Sequence, residues 1–504
     1  MEKKQKFITS IQEGYKPKGD SIYLGAGMYE GEVISQAAVR LPLKTMNRHG
    51  LIAGATGTGK SKTLQIIAEN LSEKGVPVLL MDVKGDLSGL AKPSDGAEFI
   101  DARHKLLDFP FQPQASPVEI LSLSDEPGIR LRATVSEFGP VLLSRILDLS
   151  DTQTGIIAII FKYCDDKHLP LLDLKDLKKI IQYSTEDGKE EFEKEYGRIS
   201  TASTGAILRK IVALEQQGAH RFFGERSFEV NDLMRKNSEG KAYVNILRLT
   251  DIQDRPKLFS TFMLSLLAEI YSTFPEKGDM DKPELVMFID EAHLIFEEAS
   301  DALLDQIESI IKLIRSKGIG IYFVTQNPAD IPEEVLGQLG LKIQHALRAF
   351  TAKDRKAIKL AAENYPISEF YDTKNMLTSL GIGEALVSAL DEKGRPSPLV
   401  ATMLRAPMSR MNILSDIELE KLIKQSEILP KYNEEIDRES AHEILTKKIE
   451  IAEKEVAKEK AKKERKEVIK SGSPKSKTES AVIKVLTSAT FIRGVLGILN
   501  KILK

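Results

Sequence analysis

Two patterns of apolar residues alternate along much of this chain. Short continuous runs, such as Gly50–Ala53 and the run that ends at Asp82, are typical of strands buried on both faces of a sheet. Between them, from a glycine-rich loop to Gly75, apolar residues recur at helical spacing. The same alternation returns between residues 236 and 408. Strands that alternate with helices predict an α/β fold in which a parallel sheet has helices on both faces.

The stretch between these two regions has a different pattern. From residue 113 to residue 235 the apolar residues keep a helical period, which predicts an all-helical insertion. After residue 408 the chain becomes rich in Lys and Glu, which predicts a charged helix and a flexible linker. The predicted organisation is a short N-terminal segment (1–46), the first part of the core (47–112), the helical insertion (113–235), the second part of the core (236–408), the helical charged extension and linker (409–480) and an amphipathic C-terminal segment (481–504).

Composition narrows the class of protein. The chain has 504 residues, of which 42% are hydrophobic and 29% charged, as in soluble globular proteins of several domains. Because the net charge is −2, a surface that binds nucleic acid would have to be a local basic patch whose charge acidic residues elsewhere offset. The single cysteine, Cys164, excludes an internal disulfide framework and a cysteine zinc site. Since we find no signal-peptide pattern and no membrane-spanning apolar run, we expect a cytoplasmic protein.

A glycine-rich loop connects the first strand and the first helix of the core. Its sequence, Gly54-x-x-x-x-Gly59-Lys60-Ser61, is the full phosphate-loop pattern. In such a loop, backbone N–H groups wrap the phosphates, the lysine reaches the β- and γ-phosphates, and the serine hydroxyl ligates Mg²⁺. A glycine-rich turn without a ligand is the alternative, which the flanking strand and helix disfavour. We expect ATP and Mg²⁺ as ligands of Gly54, Ala55, Thr56, Gly57, Thr58, Gly59, Lys60, Ser61 and Lys62.

A second group of polar residues stands where apolar strands end. Asp290 and Glu291 follow the run "LVMFI", and Gln326 follows "IYFVT". Asp290 suits Mg²⁺ held through water, and Glu291 suits orienting or deprotonating the attacking water, which favours hydrolysis over transfer to another substrate. Gln326 can reach the γ-phosphate or that water and so sense the state of the nucleotide. The structural alternatives are a helix N-cap for the two acids and a backbone-bonded amide for Gln326.

The chain carries, in this order, the segments "HGLIAGATGTGKS", "LLMDVKGD", "FIDEAH" and "VTQNP". Together they resemble the HerA/FtsK superfamily of ring-forming ATPases, over about residues 47–112 and 236–405. With its helical insertion and Lys-rich extension, the whole chain is similar to the bacterial HerA-like (YjgR-like) group. The resemblance implies a RecA-type sheet, a homo-oligomer in the form of a hexameric ring, and movement of double-stranded DNA driven by ATP hydrolysis.

The resemblance implies a role for single residues at the nucleotide site. Lys60 and Ser61 match the residues that hold the phosphates and Mg²⁺. Asp290 matches the acid on the Mg²⁺ side, and Glu291 beside it matches the catalytic base. Gln326, in the segment "VTQNP", matches the polar sensor of the relatives.

The resemblance also assigns a role to one further segment and to one further residue. Asp82, Lys84 and Gly85 match a "DxKG" segment that lies near the nucleotide in relatives, so Asp82 is expected to be a nucleotide-site residue. Arg315 falls on the helix between the acidic strand and the sensor strand, where relatives place an arginine finger that acts across a subunit interface. The alternative for Arg315 is a surface or helix-capping residue.

The two ends of the chain raise separate questions. Many HerA relatives carry an N-terminal β-barrel, whereas about 46 residues precede the core here, so we expect that barrel to be absent or vestigial. In the C-terminal segment 481–504, apolar residues fall close to one helical face and the charged residues are all basic. This predicts docking to the protein's own core, a neighbouring subunit or a partner protein, or binding to an anionic membrane.

The leading hypothesis is an ATP-hydrolysing HerA-like motor, a ring-shaped DNA translocase or helicase-like ATPase. The alternative is a nucleotide-dependent switch or assembly protein that recruits a partner or a membrane through its C-terminal segment. A small-molecule kinase shares the phosphate loop. The position of Glu291 directly after Asp290 disfavours that third hypothesis, because a second acid beside the first suits activation of water.

Overall fold

The chain forms two compact units. The first unit contains Met1–Arg132 and Arg226–Glu434, and the second contains Ala133–Glu225 and Glu435–Lys504. The computed structural model describes residues 2–251, 255–278, 280–296, 301–349, 351–434, 436 and 438–470. The predicted amphipathic segment (481–504) and the linker before it lie outside the described residues.

The strands of the first unit form a sheet of 12 strands among the described residues. In chain order they are β1 (Ser21–Tyr29), β2 (Glu32–Pro42), β3 (Gly50–Ala53), β4 (Val78–Asp82), β5 (Val118–Ser122), β6 (Ile129–Arg130), β7 (Val244–Arg248), β8 (Leu285–Ile289), β9 (Ile319–Thr325), β10 (Leu341–His345), β11 (Glu384–Ser388) and β12 (Val400–Leu404).

The helices lie in both units. In chain order they are α1 (Glu2–Gly14), α2 (Lys60–Glu73), α3 (Glu98–Leu107), α4 (Val135–Ile146), α5 (Asp151–Asp166), α6 (Leu174–Thr185), α7 (Lys189–Tyr196), α8 (Thr201–Gln216), α9 (Pro256–Thr273), α10 (His293–Phe296), α11 (Asp301–Ile314), α12 (Glu333–Leu336), α13 (Ala352–Glu363), α14 (Thr373–Ser379), α15 (Asp416–Lys424), α16 (Leu429–Asn433) and α17 (Ala441–Lys470). None of the helices in the described ranges is both long and apolar enough to cross a membrane.

The strand order confirms the predicted α/β class and adds an antiparallel side to the sheet. The order is β2-β1-β12-β11-β10-β3-β9-β8-β4-β7-β5-β6. All neighbours from β10 to β6 are parallel, and their strands are buried, as the continuous apolar runs predict. From β10 to β2 all neighbours are antiparallel. The parallel part therefore contains the predicted core, and the antiparallel part extends one side of it.

The N-terminal segment completes the antiparallel side. Strands β1 and β2 are joined by a two-residue loop, Glu30 and Gly31, whose φ angles of +51° and +82° are those of a tight hairpin turn. β1 then pairs with β12, near the C-terminal end of the core. Residues 2–42 therefore form a helix and a hairpin, and the hairpin belongs to the sheet.

The helical insertion begins later than the sequence predicted. Residues 118–130 carry β5 and β6, which extend the parallel side of the sheet beyond β7. The second unit starts at Ala133 and contains α4–α8. A five-residue stretch such as Val118–Ser122, which contains Glu119 and Ser122 among its apolar residues, is too short for its period to distinguish a strand from a helix, which explains the misplaced boundary.

The charged extension also differs from its prediction, because it divides between the two units. Helices α15 and α16 belong to the first unit and α17 to the second. The start of α17 is held by backbone contacts: the Ala441 N–H donates to the Pro170 carbonyl at 2.9 Å. The His442 N–H donates to the Asp176 carboxylate at 2.8 Å. Leu445 on the same helix is buried, so the first turns of α17 are packed rather than solvated.

A buried ion pair ties the helix after the phosphate loop to the chain beyond β12. The Glu69 carboxylate on α2 lies 2.7 Å from the Arg405 guanidinium, and the side chains are 2% and 3% exposed. Glu69 also accepts hydrogen bonds from the backbone N–H groups of Met408 and Ser409. Arg405 in turn donates to the Tyr23 carbonyl of β1. Three segments distant in sequence are thus joined at one place.

Glu69→Ala is expected to lower the free energy of unfolding by about 3–5 kcal/mol, since it leaves a buried guanidinium without its carboxylate. The matched control is Glu73→Ala, one turn further along α2, which removes a surface pair with Lys241 at 3.1 Å. That loss is expected to be at most about 1 kcal/mol. Urea unfolding of the three proteins measures both effects, and equal losses in the two variants would contradict the assignment.

Candidate nucleotide-binding site

The carboxyl ends of four neighbouring parallel strands form the site. In the sheet, β3 lies beside β9, β9 beside β8, and β8 beside β4. The strand registers bring the ends of β3 and β9 level with each other, and likewise those of β8 and β4. Ligands of open α/β sheets bind at such an edge. The residues at this edge are Gly54, which begins the glycine-rich loop, and the polar residues Asp82, Asp290 and Gln326.

The backbone of the loop between β3 and α2 has the curvature of a phosphate cradle. Gly54, Gly57 and Gly59 have φ angles of +151°, +78° and +112°, which favour glycine. A Cβ atom at Gly54 would lie 2.5 Å from the Cβ atom of His345. Gly59 is the residue before α2, so the loop leads directly into a helix N-terminus. Backbone N–H groups and the positive end of the helix dipole together suit a phosphate group.

The Lys60 ammonium lies inside this loop. Its Nζ atom donates to the carbonyl oxygens of Gly54 at 2.6 Å and Ala55 at 3.2 Å. Burial lowers the pKa of Lys60 and the charge of Lys84 lowers it further, while Glu291 and other nearby carboxylates oppose the shift. The carbonyl oxygens of the loop thus hold the ammonium within the predicted phosphate cradle.

Ser61 and Lys62, the next two residues of α2, have different surroundings. Ser61 is partly exposed in the first turn of the helix, and its role as a ligand of Mg²⁺ stays a prediction. The Lys62 ammonium donates to the Met411 carbonyl at 2.5 Å and to Gln65 at 3.1 Å. The predicted role of Lys62 at the nucleotide therefore rests on its backbone N–H rather than on its side chain.

Asp82 shapes the turn that follows β4. Its carboxylate accepts hydrogen bonds from the backbone N–H groups of Gly85 at 2.8 Å, Asp86 at 3.2 Å and Leu87 at 3.1 Å. Burial, with the charges of Asp86 and Asp290, raises the pKa of Asp82 to about 7 despite these bonds. Asp82 lies at the predicted edge of the sheet, and its carboxylate stabilises the turn after β4 through these hydrogen bonds.

Asp290 is a buried carboxyl group whose charged form a cation would stabilise. Burial is the main cause that raises its pKa to about 6, and Glu291 adds to the shift while Lys84 opposes it. Among the described residues, no group of three or more His, Cys, Asp or Glu side chains could hold a metal alone. Mg²⁺ is usually held by one or two protein ligands and by phosphate oxygens. Asp290 and the Ser61 hydroxyl fit that mode of binding.

Glu291 is held in a strained and charged state. Its φ angle of +46° is unusual for a residue with a side chain. Its Oε1 atom lies 2.5 Å from the Lys84 Nζ atom, and its Oε2 atom lies 3.3 Å from the His293 Nδ1 atom. Burial acts to raise the pKa of Glu291, but the contact with Lys84 outweighs it and lowers the pKa. Glu291 is therefore a carboxylate, which is the form that a general base requires.

Gln326 lies between the loop and the acid. Its amide oxygen accepts from the Thr56 hydroxyl at 3.4 Å, and its amide nitrogen donates to the Glu291 carboxylate at 3.5 Å. Both distances are long for hydrogen bonds, so a ligand can replace either contact at low cost. The structure brings Gln326 together with the other predicted residues, and its role as a sensor stays a prediction.

Arg315 lies away from this group. It is exposed in a short turn that connects α11 to the start of β9, whereas Gln326 follows the end of β9. A seven-residue strand separates the two, which is about 20 Å. Burial lowers the pKa of His49, just before β3, to about 4, and the charge of Arg315 contributes to this shift. Arg315 thus lies at the opposite edge of the sheet from the phosphate loop of its own chain.

Sequence reasoning missed His345, the last residue of β10. It is fully buried, and its Nε2 atom lies 2.9 Å from the Thr63 hydroxyl of α2. Burial, with the charge of Lys60, lowers the pKa of His345 to about 4, so the ring is neutral beneath the loop. The available signal was a histidine at the end of a short stretch in which apolar and polar residues alternate, and β10 pairs with β3 in parallel and ends beside it.

The sheet order, the glycine-rich loop and the acidic strand end define a phosphate-loop nucleotide-binding protein of the α/β class. The sequence matches the family described as Helicase HerA-like C-terminal over residues 29–494, and the chain belongs to that family. This confirms the resemblance that the four motifs carry.

Relatives and solved structures agree with this placement. The chain is 23% identical over 366 residues to the "DNA double-strand break repair helicase HerA" of Sulfolobus acidocaldarius, covering 70% of this chain and 64% of that protein. It is 25% identical over 391 residues to the protein of the same name from Saccharolobus solfataricus, covering 75% and 69%. The plasmid coupling protein TrwB in complex with ADP and Mg²⁺ has a TM-score of 0.51 at 14% identity, covering 78% and 97%. This last similarity concerns the fold.

Proposed function

We propose that this protein binds ATP with Mg²⁺ and hydrolyses it to ADP and phosphate. The observation that carries the proposal is the convergence of Lys60, Asp290, Glu291 and Gln326 at one edge of the sheet. Lys60 contacts the loop carbonyls, and Glu291 is kept charged by its surroundings. A cation for the phosphates and a base for water are the two parts that hydrolysis requires.

In the proposed reaction, the loop N–H groups and Lys60 bind the β- and γ-phosphates and offset charge that builds up on the leaving group. The Glu291 carboxylate orients a water molecule and takes its proton as the water oxygen bonds to the γ-phosphorus. The bond between that phosphorus and the bridging oxygen breaks, which leaves ADP and phosphate. Gln326 is placed to contact the water or the phosphate. Mg²⁺, when bound by Ser61 and Asp290, would supply further charge stabilisation.

We propose that hydrolysis drives movement along double-stranded DNA. The support is membership of the HerA-like family and relatives whose names describe a DNA repair helicase. The chain spans 64% of the length of the Sulfolobus acidocaldarius relative, so a DNA substrate, a hexameric ring and a cytoplasmic location are proposals for this chain. A ring motor contacts DNA phosphates through Lys and Arg side chains, so its response to DNA weakens as salt rises.

The role of Arg315 as an arginine finger depends on the proposed ring. Because Arg315 lies at the opposite edge of the sheet from the phosphate loop, an arginine-finger role requires the nucleotide of a neighbouring subunit. Arg315→Ala is expected to reduce ATP turnover at least about 100-fold with little loss of ATP affinity. The matched control is Lys312→Ala, an exposed residue in the last turn of α11, just before the turn that carries Arg315, where it pairs with Glu308 at 3.8 Å.

Mixing two inactive proteins tests whether Arg315 acts between subunits. In a random 1:1 mixture of Arg315→Ala and Glu291→Gln chains, about a quarter of the interfaces combine an intact Glu291 with an intact partner Arg315. Phosphate release is expected to recover to about that fraction of the wild-type rate. A mixture as inactive as its two components would contradict the role of Arg315 in trans.

A further inference from the structure

Lys84 forms an ion pair with Glu291, the residue proposed as the base. The Lys84 Nζ atom is 2.5 Å from the Glu291 carboxylate and 4.0 Å from that of Asp290. The two acids are almost fully buried, whereas the Lys84 side chain is 33% exposed. A base whose charge is neutralised by an ammonium is a poor acceptor of a proton from water. Glu291 is therefore held in a state that does not favour hydrolysis.

Backbone hydrogen bonds fix the turn around Lys84, whereas its partly exposed side chain is held at its end by the ion pair with Glu291. The turn that carries Lys84 is held by the three hydrogen bonds to the Asp82 carboxylate, and Gly85 within it has a φ angle of +72°. Lysine has a long side chain with several rotatable bonds and a strongly hydrated head. The ammonium can thus change partners while the loop keeps its shape.

Charge at the site favours such a change when a triphosphate binds. The charges of Lys60 and Lys84 repel each other across the site, since Lys84 contributes to the lowered pKa of Lys60. A bound triphosphate brings several negative charges close to Asp290 and Glu291. The terminal phosphate is the strongest new anion there, and Lys84 is a partly exposed cation beside it. Phosphate oxygens are good acceptors for an ammonium.

We propose that Lys84 restrains Glu291 in the absence of ATP and moves to the terminal phosphate when ATP binds, which frees Glu291 to hold the attacking water. Lys84 is then a positioning residue that couples the presence of the terminal phosphate to the availability of the base. After hydrolysis and phosphate release, Lys84 returns to Glu291. This inference rests on the proposed function and adds a selectivity for triphosphate over diphosphate.

The test measures binding rather than turnover. Calorimetry in the presence of Mg²⁺ gives the Kd of ADP and of ADPNP, a non-hydrolysable ATP analogue, for the full chain and its variants. Lys84→Met is expected to weaken ADPNP binding at least about tenfold, the effect of one charge-assisted hydrogen bond, and ADP binding less than about threefold. Lys84→Arg is expected to retain most of the selectivity. The matched control is Lys277→Met, which removes a lysine paired with Glu284 at 2.9 Å outside the site.

A double-mutant cycle isolates the restraint itself. Because binding must break the ion pair, Glu291→Gln is expected to tighten ADPNP binding when Lys84 is present and to have no such effect in the Lys84→Met background. Equal losses for ADPNP and ADP in Lys84→Met, or the same effect of Glu291→Gln in both backgrounds, would overturn the proposal and reduce the contact to a structural ion pair. A wild-type chain that binds neither nucleotide would instead contradict the proposed function, and the proposal about Lys84 with it.

Discussion

Glu291→Gln is expected to reduce ATP turnover at least about 100-fold, the lower end of the contribution of a general base. The amide keeps the size of the side chain but cannot accept a proton from water. ATP affinity is expected to be retained or increased, because Lys60 and the phosphate loop are unchanged. Single-turnover phosphate release, together with calorimetry using ATP, separates the chemical step from binding.

The matched control for this variant is Glu284→Gln. Glu284 lies just before β8, at the other end of the strand that Glu291 follows, and it pairs with Lys277 at the surface. Its replacement is expected to leave turnover unchanged. If Glu291→Gln and the control retained the same turnover, a residue other than Glu291 would have to activate the water.

Lys60→Met is expected to weaken the binding of ATP at least about 100-fold, since it removes the buried cation that we propose as the partner of the phosphates. Methionine keeps the apolar stem of the side chain, so the helix packing is largely preserved. The Gly54 and Ala55 carbonyls lose their donor, which also loosens the loop. Calorimetry with ADPNP measures the affinity, and the rise in Tm on adding nucleotide provides a second measure.

Lys74→Met is the control for this second prediction. Lys74 follows the last turn of α2 and pairs at the surface with Asp20 at 3.1 Å. Its replacement is expected to change nucleotide affinity less than about twofold, because the pair is exposed and distant from the loop. Retention of nucleotide binding in Lys60→Met would exclude the phosphate-loop assignment.

The sequence was most informative where the relevant residues are contiguous or end an apolar run. The phosphate loop is a local pattern, and the geometry of Gly54 and Gly59 follows from it. Asp290 and Gln326 were found because each follows a continuous run of buried strand residues. In a parallel sheet such strand ends meet at one edge, so their convergence could be expected from the sequence.

Features that depend on the order of strands could not be predicted in this way. The contact of Lys84 with Glu291 requires β4 and β8 to be neighbours, which no local pattern specifies. The pairing of β1 with β12 joins the two ends of the core, and β5 is too short to be recognised as a strand alone. The place of Arg315 likewise depends on the direction of β9, which determines the edge of the sheet at which Arg315 lies.

The most direct test of the central claim is phosphate release from Mg²⁺-ATP by the full chain, with and without linear duplex DNA. Measurements at about 50 mM and about 200 mM salt show whether DNA acts through contacts with its phosphates, because such contacts weaken as salt rises. Glu291→Gln serves as the inactive reference. A DNA-dependent motor predicts strong stimulation that declines with salt and is absent in the variant. A slow rate that is the same with and without DNA at both salt concentrations would contradict the motor and favour a nucleotide-dependent switch.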